Sequence, residues 1–89
     1  MKTFSYSFLL HPVPVNIMLL LLENNECYAT FMAKKIGTMY GPVARQIKRF
    51  AKLGLVQVKK DGRKKTITLT EKGKAVASHL KEIILLLAD

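Results

Sequence analysis

The sequence is poor in several things whose absence narrows its function. It has one cysteine, Cys27, and no tryptophan among 89 residues. A lone thiol closes no intramolecular disulfide and suits a reducing compartment. The apolar run Ile17–Leu22, which no other run exceeds, falls far short of the roughly 20 residues that a membrane span needs, so no membrane partner is expected. Lys2 and the apolar stretch after it are broken by Ser5, Ser7, His11, Pro12 and Pro14, and no small-residue cleavage site follows. No signal peptide is expected, and the cytoplasm is the default location. The two histidines, His11 and His79, are far apart, and Cys27 has no cysteine neighbour. A metal site needs three or four convergent ligands, so no metal or other cofactor is expected. There is no nucleophile motif, phosphate-binding glycine loop or carboxylate pair, and the chain reads as something other than an enzyme.

Acidic residues are scarce in one region above all. The chain carries 15 Lys and Arg against 6 Asp and Glu, a net charge of +9. Between Tyr28 and Lys74 there are 13 basic and two acidic residues, a net of +11, and from Lys34 to Lys60 there is no acid. The flanks, with two basic and four acidic residues, come to −2. A basic centre between near-neutral ends is the electrostatic footprint of a polyanion-binding protein. A generally basic, solvated surface is the other reading of charge alone.

What is present is a folded composition, 49% apolar and 24% charged, with room for one domain. A chain this short is marginal at burying its own apolar surface, which puts a partner subunit in view. Residues 1–14 read as an N-terminal arm, extended where Phe4, Tyr6, Phe8 and Leu10 alternate with polar residues and irregular through His11–Pro14. Val15–Glu23 reads as a first helix, apolar on nearly every side and therefore buried all round. Cys27–Ala29 allows a short strand. Thr30 would cap a second helix over Phe31–Ile36, stopped by Gly37. After the turn Thr38–Gly41, Pro42 suits the first turn of a third helix, Val43–Leu53. Leu55–Lys60 and Lys64–Leu69 alternate apolar and polar residues around Asp61-Gly62, a strong hairpin signal. Thr70 would cap a last helix, with Gly73 weakening its first turn. Val76, Leu80, Ile83 and Leu87 form one stripe on it, widened by Ile84, Leu85 and Leu86.

The third helix carries the function. Val43, Ile47 and Phe50 fall on one face, and Arg45, Arg49 and Lys52 on the opposite one, bordered by Gln46 and Lys48. Arginine and glutamine pair bidentately with guanine and adenine edges, and the cations suit phosphates. An ordinary amphipathic helix is the alternative, but its solvated face usually mixes Glu with Lys, and like charges left unpaired cost stability. Lys59, Lys60, Arg63, Lys64 and Lys65 cluster cations around the hairpin tip, where phosphate contacts release counterions. The alternative there is a hairpin edge kept soluble by lysine.

Met32-Ala33-Lys34-Lys35-Ile36-Gly37, then Val43-Ala44-Arg45-Gln46-Ile47-Lys48-Arg49-Phe50, then Leu53-Gly54-Leu55-Val56 resembles the winged helix-turn-helix regulators of the MarR and ArsR types and their small archaeal relatives. Asp61-Gly62-Arg63 is similar to the wing tip of the MarR type, and Leu69-Thr70-Glu71-Lys72-Gly73 to the motif that follows it. The resemblance covers the chain from about Val15 onward. It implies an α+β fold: a winged helix-turn-helix domain at residues 15–70 with a three-helix core and a two-stranded wing. The last helix, residues 71–89, reads from its own apolar end, Ile83–Ala88, as a C-terminal dimerisation helix, together with the apolar first helix and the N-terminal arm; packing of that end on the first helix is the alternative. The resemblance also implies a recognition helix in the major groove and a wing against the minor groove or flanking backbone. Thr38, Tyr40, Gly41, Pro42, Arg45, Gln46 and Arg49 fall where such proteins contact DNA, and Arg63 falls at the wing tip. Gly41 and Pro42 replace the hydroxyl residues common in the family's first turn. Full-length MarR proteins also have additional helices that build a ligand pocket, so no small-molecule effector is expected here.

The expected function is a homodimeric, sequence-specific regulator of double-stranded DNA, with Val76, Leu80, Ile83, Ile84 and Leu87 in the dimer interface. The alternatives are a non-specific, chromatin-like architectural protein and a winged-helix module that binds an acidic protein.

Overall fold

The computed structural model describes residues 3–88; Met1 and Lys2, the start of the expected arm, and Asp89 lie outside it. A 3-10 helix, Thr3–Leu10, leads into α1 (Pro12–Glu23), β1 (Cys27–Tyr28), α2 (Ala29–Ile36), α3 (Tyr40–Lys52), β2 (Val56–Asp61), β3 (Lys64–Leu69) and α4 (Glu71–Ala88). The strands form one antiparallel sheet in the order β1-β3-β2. This is the expected α+β, winged helix-turn-helix architecture.

The N-terminal segment departs from expectation. It is coiled rather than extended, and the physical reason lies in Phe8 and Leu9. Both pack against the core, whereas a strand would send adjacent side chains to opposite faces. His11–Pro14 does not break structure either, because α1 starts at Pro12. Prolines in a first turn lack only amides that have no carbonyl partner there. α2 likewise starts early, at Ala29 with Tyr28 as its N-cap, so Thr30 lies inside it and caps nothing. Gly37 ends α2 at φ +83°, and the amides of Gly37 and Thr38 both donate to the Ala33 carbonyl at 3.0 Å. Glycine takes that left-handed conformation without a steric cost. α3 then begins at Tyr40, three residues before the expected start, with Pro42 in its first turn.

In the hairpin, Asp61 still pairs with Lys64, so the loop is only Gly62-Arg63. Gly62 has φ +62°, and among the described residues no non-glycine residue has positive φ. Glycine at the first of two loop positions is the type II′ pattern, whose twist matches the flanking strands.

Phe50, Ile17, Met18, Leu21, Met32, Ile67 and Val43 form the centre of the core. Val43, Ile47 and Phe50 face inward on α3 as expected. α1 is not buried all round. Pro14, Ile17, Met18 and Leu21 turn inward, Val15, Leu19 and Leu22 are half-buried, and Asn16 is exposed. Cys27 is buried, its thiol 3.8 Å from the Asn24 carbonyl, and burial pushes its pKa up.

α4 is fixed to the end of α3 through its first turn. The Thr70 hydroxyl donates to the Gly54 carbonyl at 2.6 Å and accepts from the Gly73 amide at 3.0 Å. Lys72 Nζ donates to the Leu53 carbonyl at 3.1 Å. Gly73 is buried, and a Cβ there would overlap the Leu55 carbonyl. The glycine expected to weaken this helix is what lets it dock.

Candidate nucleic-acid interface

α3 presents Arg45, Lys48, Arg49 and Lys52 to solvent, opposite its buried face. Its first turn has no acidic residue and no side-chain cap. Pro42 supplies no amide, and Gly41 faces open space where a side chain would stand. Tyr40 is 44% exposed, and Thr38 is half-buried with its amide already used. Gln46 is half-buried at the edge of the cationic face, and its Oε1 has no hydrogen-bond partner among the described residues. Arg49 lies with its guanidinium carbon 4.5 Å from the centre of the Phe8 ring.

The wing is not one undivided cluster of charge. β2 and β3 pair Val56 with Leu69, Val58 with Ile67 and Lys60 with Lys65. Successive side chains alternate between faces, so Lys60 and Lys65 continue the face that carries buried Ile67. Lys59 and Lys64 belong to the other face, where Lys64 Nζ sits 5.2 Å from the centre of the Tyr28 ring. Arg63 is exposed at the tip.

The inner face of the wing and the flank of α3 enclose a groove of about 530 Å³. Ala29, Ala44, Ala51, Val58 and Ile67 give it apolar walls, and Tyr40, Arg45, Lys48 and Lys65 contribute polar and cationic groups. No acidic residue lines it. The structure thus joins Tyr40, Arg45, Lys48 and Lys65 around one groove, brings Arg63 and Lys64 to an adjoining cleft that Tyr40 and Lys65 also line, and sets Arg49 and Gln46 to one side and Lys59 on the far face of the wing.

These cations are poorly compensated. Among the described residues Lys74 pairs with Glu71, and His79 Nδ1 lies 3.8 Å from a Glu82 carboxylate oxygen, both within α4. Among those residues no ion pair involves α3 or the wing. Lys60 and Lys65 are directly opposed across the ladder, an arrangement of like charge that costs stability. An anionic ligand would relieve it. Among the described residues no group of three His, Cys, Asp or Glu could hold a metal ion, and no helix is long and apolar enough to cross a membrane.

The residues expected at a dimer interface divide in two. Leu80 is 6% exposed and belongs to the protomer's own core, and Val76 packs partly against that core. Leu80 is therefore packed within the chain's own core, and Val76 is half-buried beside it. Ile83, Ile84 and Leu87 are exposed, as are Leu85 and Leu86.

A two-helix turn followed by a two-stranded wing, with cations on the second helix and the wing, defines a winged helix-turn-helix protein. No family model matches the chain. It is 35% identical over 63 residues to an uncharacterised protein of Archaeoglobus fulgidus, a match that spans 71% of this chain and 66% of that protein. A crystal structure of an Archaeoglobus fulgidus protein superimposes with a TM-score of 0.83 at 27% identity, covering 96% of this chain and 98% of that one. The MarR family transcriptional regulator of Silicibacter pomeroyi shares the fold, with a TM-score of 0.77 at 22% identity over 90% of this chain and 58% of the regulator. A DNA-binding protein from Sulfolobus solfataricus superimposes with a TM-score of 0.70 at 26% identity, over 83% and 80% of the two chains. The resemblance to MarR-like winged helix-turn-helix regulators is therefore structural as well as in motif.

Proposed function

We propose that the chain is a sequence-specific, double-stranded-DNA-binding transcriptional regulator that acts in the cytoplasm as a homodimer. The observation that carries this reading is the groove between α3 and the wing, lined by Arg45, Lys48 and Lys65 with no acid. Its apolar walls suit deoxyribose, and its cations suit the phosphates of one strand. Arg45 on the outward face of α3 is the principal base-reading side chain, with Gln46 and Arg49 on its flank. Tyr40, Lys48, Lys60 and Lys65 hold the backbone, Arg63 reaches beyond the tip, and Lys59 and Lys64 add long-range attraction. The turn before α3 and its first turn approach DNA through Thr38, Gly41 and Pro42, as the resemblance implies. The DNA-binding relative from Sulfolobus solfataricus supports the assignment.

The exposed apolar end of α4, with half-exposed Val15, Leu19 and Leu22 of α1, forms the dimer surface. Five consecutive large apolar residues, Ile83 to Leu87, are exposed, which soluble monomers seldom present in one place. A two-fold dimer would set two α3 helices on half-sites about one helical turn apart.

A second reading, an architectural protein without sequence preference, draws on the first turn of α3, where Gly41 and Pro42 offer no side-chain donor. Selection of bound duplexes from a random pool separates the two. A regulator enriches a palindrome, and an architectural protein enriches no motif.

A further inference from the structure

Phe8 comes from the N-terminal 3-10 helix, yet its ring lies against α3. It is 6.1 Å from the Phe50 ring, with the planes 34° apart, and the Arg49 guanidinium carbon is 4.5 Å from its centre. Phe50 is fully buried, so the Phe8 ring is anchored against the core, and the Arg49 guanidinium lies over that ring. Arg49 has no carboxylate partner among the described residues. An unrestrained arginine has many rotamers, and fixing one on binding costs entropy. A guanidinium stacked on an aromatic ring is held in plane while its N–H edges stay free for a phosphate or a base.

We infer that Phe8 is a positioning residue for DNA binding: the N-terminal segment touches no DNA there but sets the orientation of Arg49 beforehand. This rests on the DNA-binding reading of α3. It gives the N-terminal segment a role in affinity that its place in the sequence does not suggest.

A double-mutant cycle tests it. Fluorescence anisotropy would follow binding of the full chain to a labelled duplex enriched from a random pool. The variants are Phe8→Leu, which keeps an apolar group against Phe50, Phe8→Tyr, which keeps the ring, Arg49→Ala, and Phe8→Leu with Arg49→Ala. Phe8→Met replaces the leucine variant if that one melts too early to assay. The expected result is a loss of about threefold to tenfold for Phe8→Leu, wild-type affinity for Phe8→Tyr, and no added loss from Phe8→Leu once Arg49 is alanine. An equal loss from Phe8→Leu with and without Arg49 overturns the inference. So does unchanged affinity in Phe8→Leu while Arg49→Ala binds more weakly. Both of those outcomes leave α3 as the DNA-binding helix. If Arg45→Ala and Arg49→Ala both bind like the wild type, the reading of α3 falls and the inference falls with it.

Discussion

A methyl group on Gly73 would overlap the carbonyl oxygen of Leu55, a backbone group held in place because that oxygen also accepts the Thr70 amide at 3.0 Å. Gly73→Ala is therefore expected to destabilise the fold by at least about 2 kcal/mol, although alanine is the better helix former. Urea unfolding of the two proteins measures the difference. The sequence pattern around Thr70 and Gly73 was legible as a motif but not in its physics. The propensity of glycine points to a weak helix start, whereas the tertiary contact makes the residue obligatory. Thr70 was legible on both counts, since hydroxyl residues before Glu signal a cap. Its second bond, to Gly54, was not. With both bonds removed, Thr70→Ala should cost about 1–2 kcal/mol in the same measurement. The contact of Phe8 with Arg49 left no trace in the sequence, because no local periodicity links the two segments.

Among the elements, α3 was the most legible. Apolar and cationic residues at helical spacing lie on opposite faces of a single helix, and the structure keeps them there. Its start is less legible, because Pro42 reads as a boundary while it occupies an unpaired first-turn position. The hairpin was legible as a hairpin, but its five cations read as one cluster. Register separates them, since Lys65 shares a face with Ile67, and Lys64 leans on Tyr28. This gives the wing a specific expectation. Lys65→Ala should reduce the slope of log affinity against log salt by about 1, and Lys64→Ala should change it less. Mobility-shift titrations over a range of salt concentrations measure both slopes, and equal slopes would place the two faces equally far from DNA.

At the scale of the whole molecule, the protomer completes its core with Leu80 and stops there. Beyond Leu80 every described residue of α4 is exposed, with Leu86 at 79% and Leu87 at 81%. Composition suggests a partner, and the stripe on the last helix suggests where. Only the packing shows that the inner half of that stripe is spent within the protomer. The expectation is a dimer by sedimentation at micromolar concentration, and a monomer when Leu87→Glu puts a charge on the apolar end. A wild-type species of 10.0 kDa would remove the dimer.

If the cationic face of α3 binds duplex DNA, Arg45 is the side chain whose removal disturbs the structure least, because it is exposed and makes no ion pair among the described residues. The measurement is a mobility-shift titration of the wild type and Arg45→Ala on a duplex selected from a random pool. Arg45→Ala should bind about 1–3 kcal/mol more weakly, with its unfolding transition unchanged. Equal affinity of the two proteins would contradict the assignment of α3 as the helix that reads DNA.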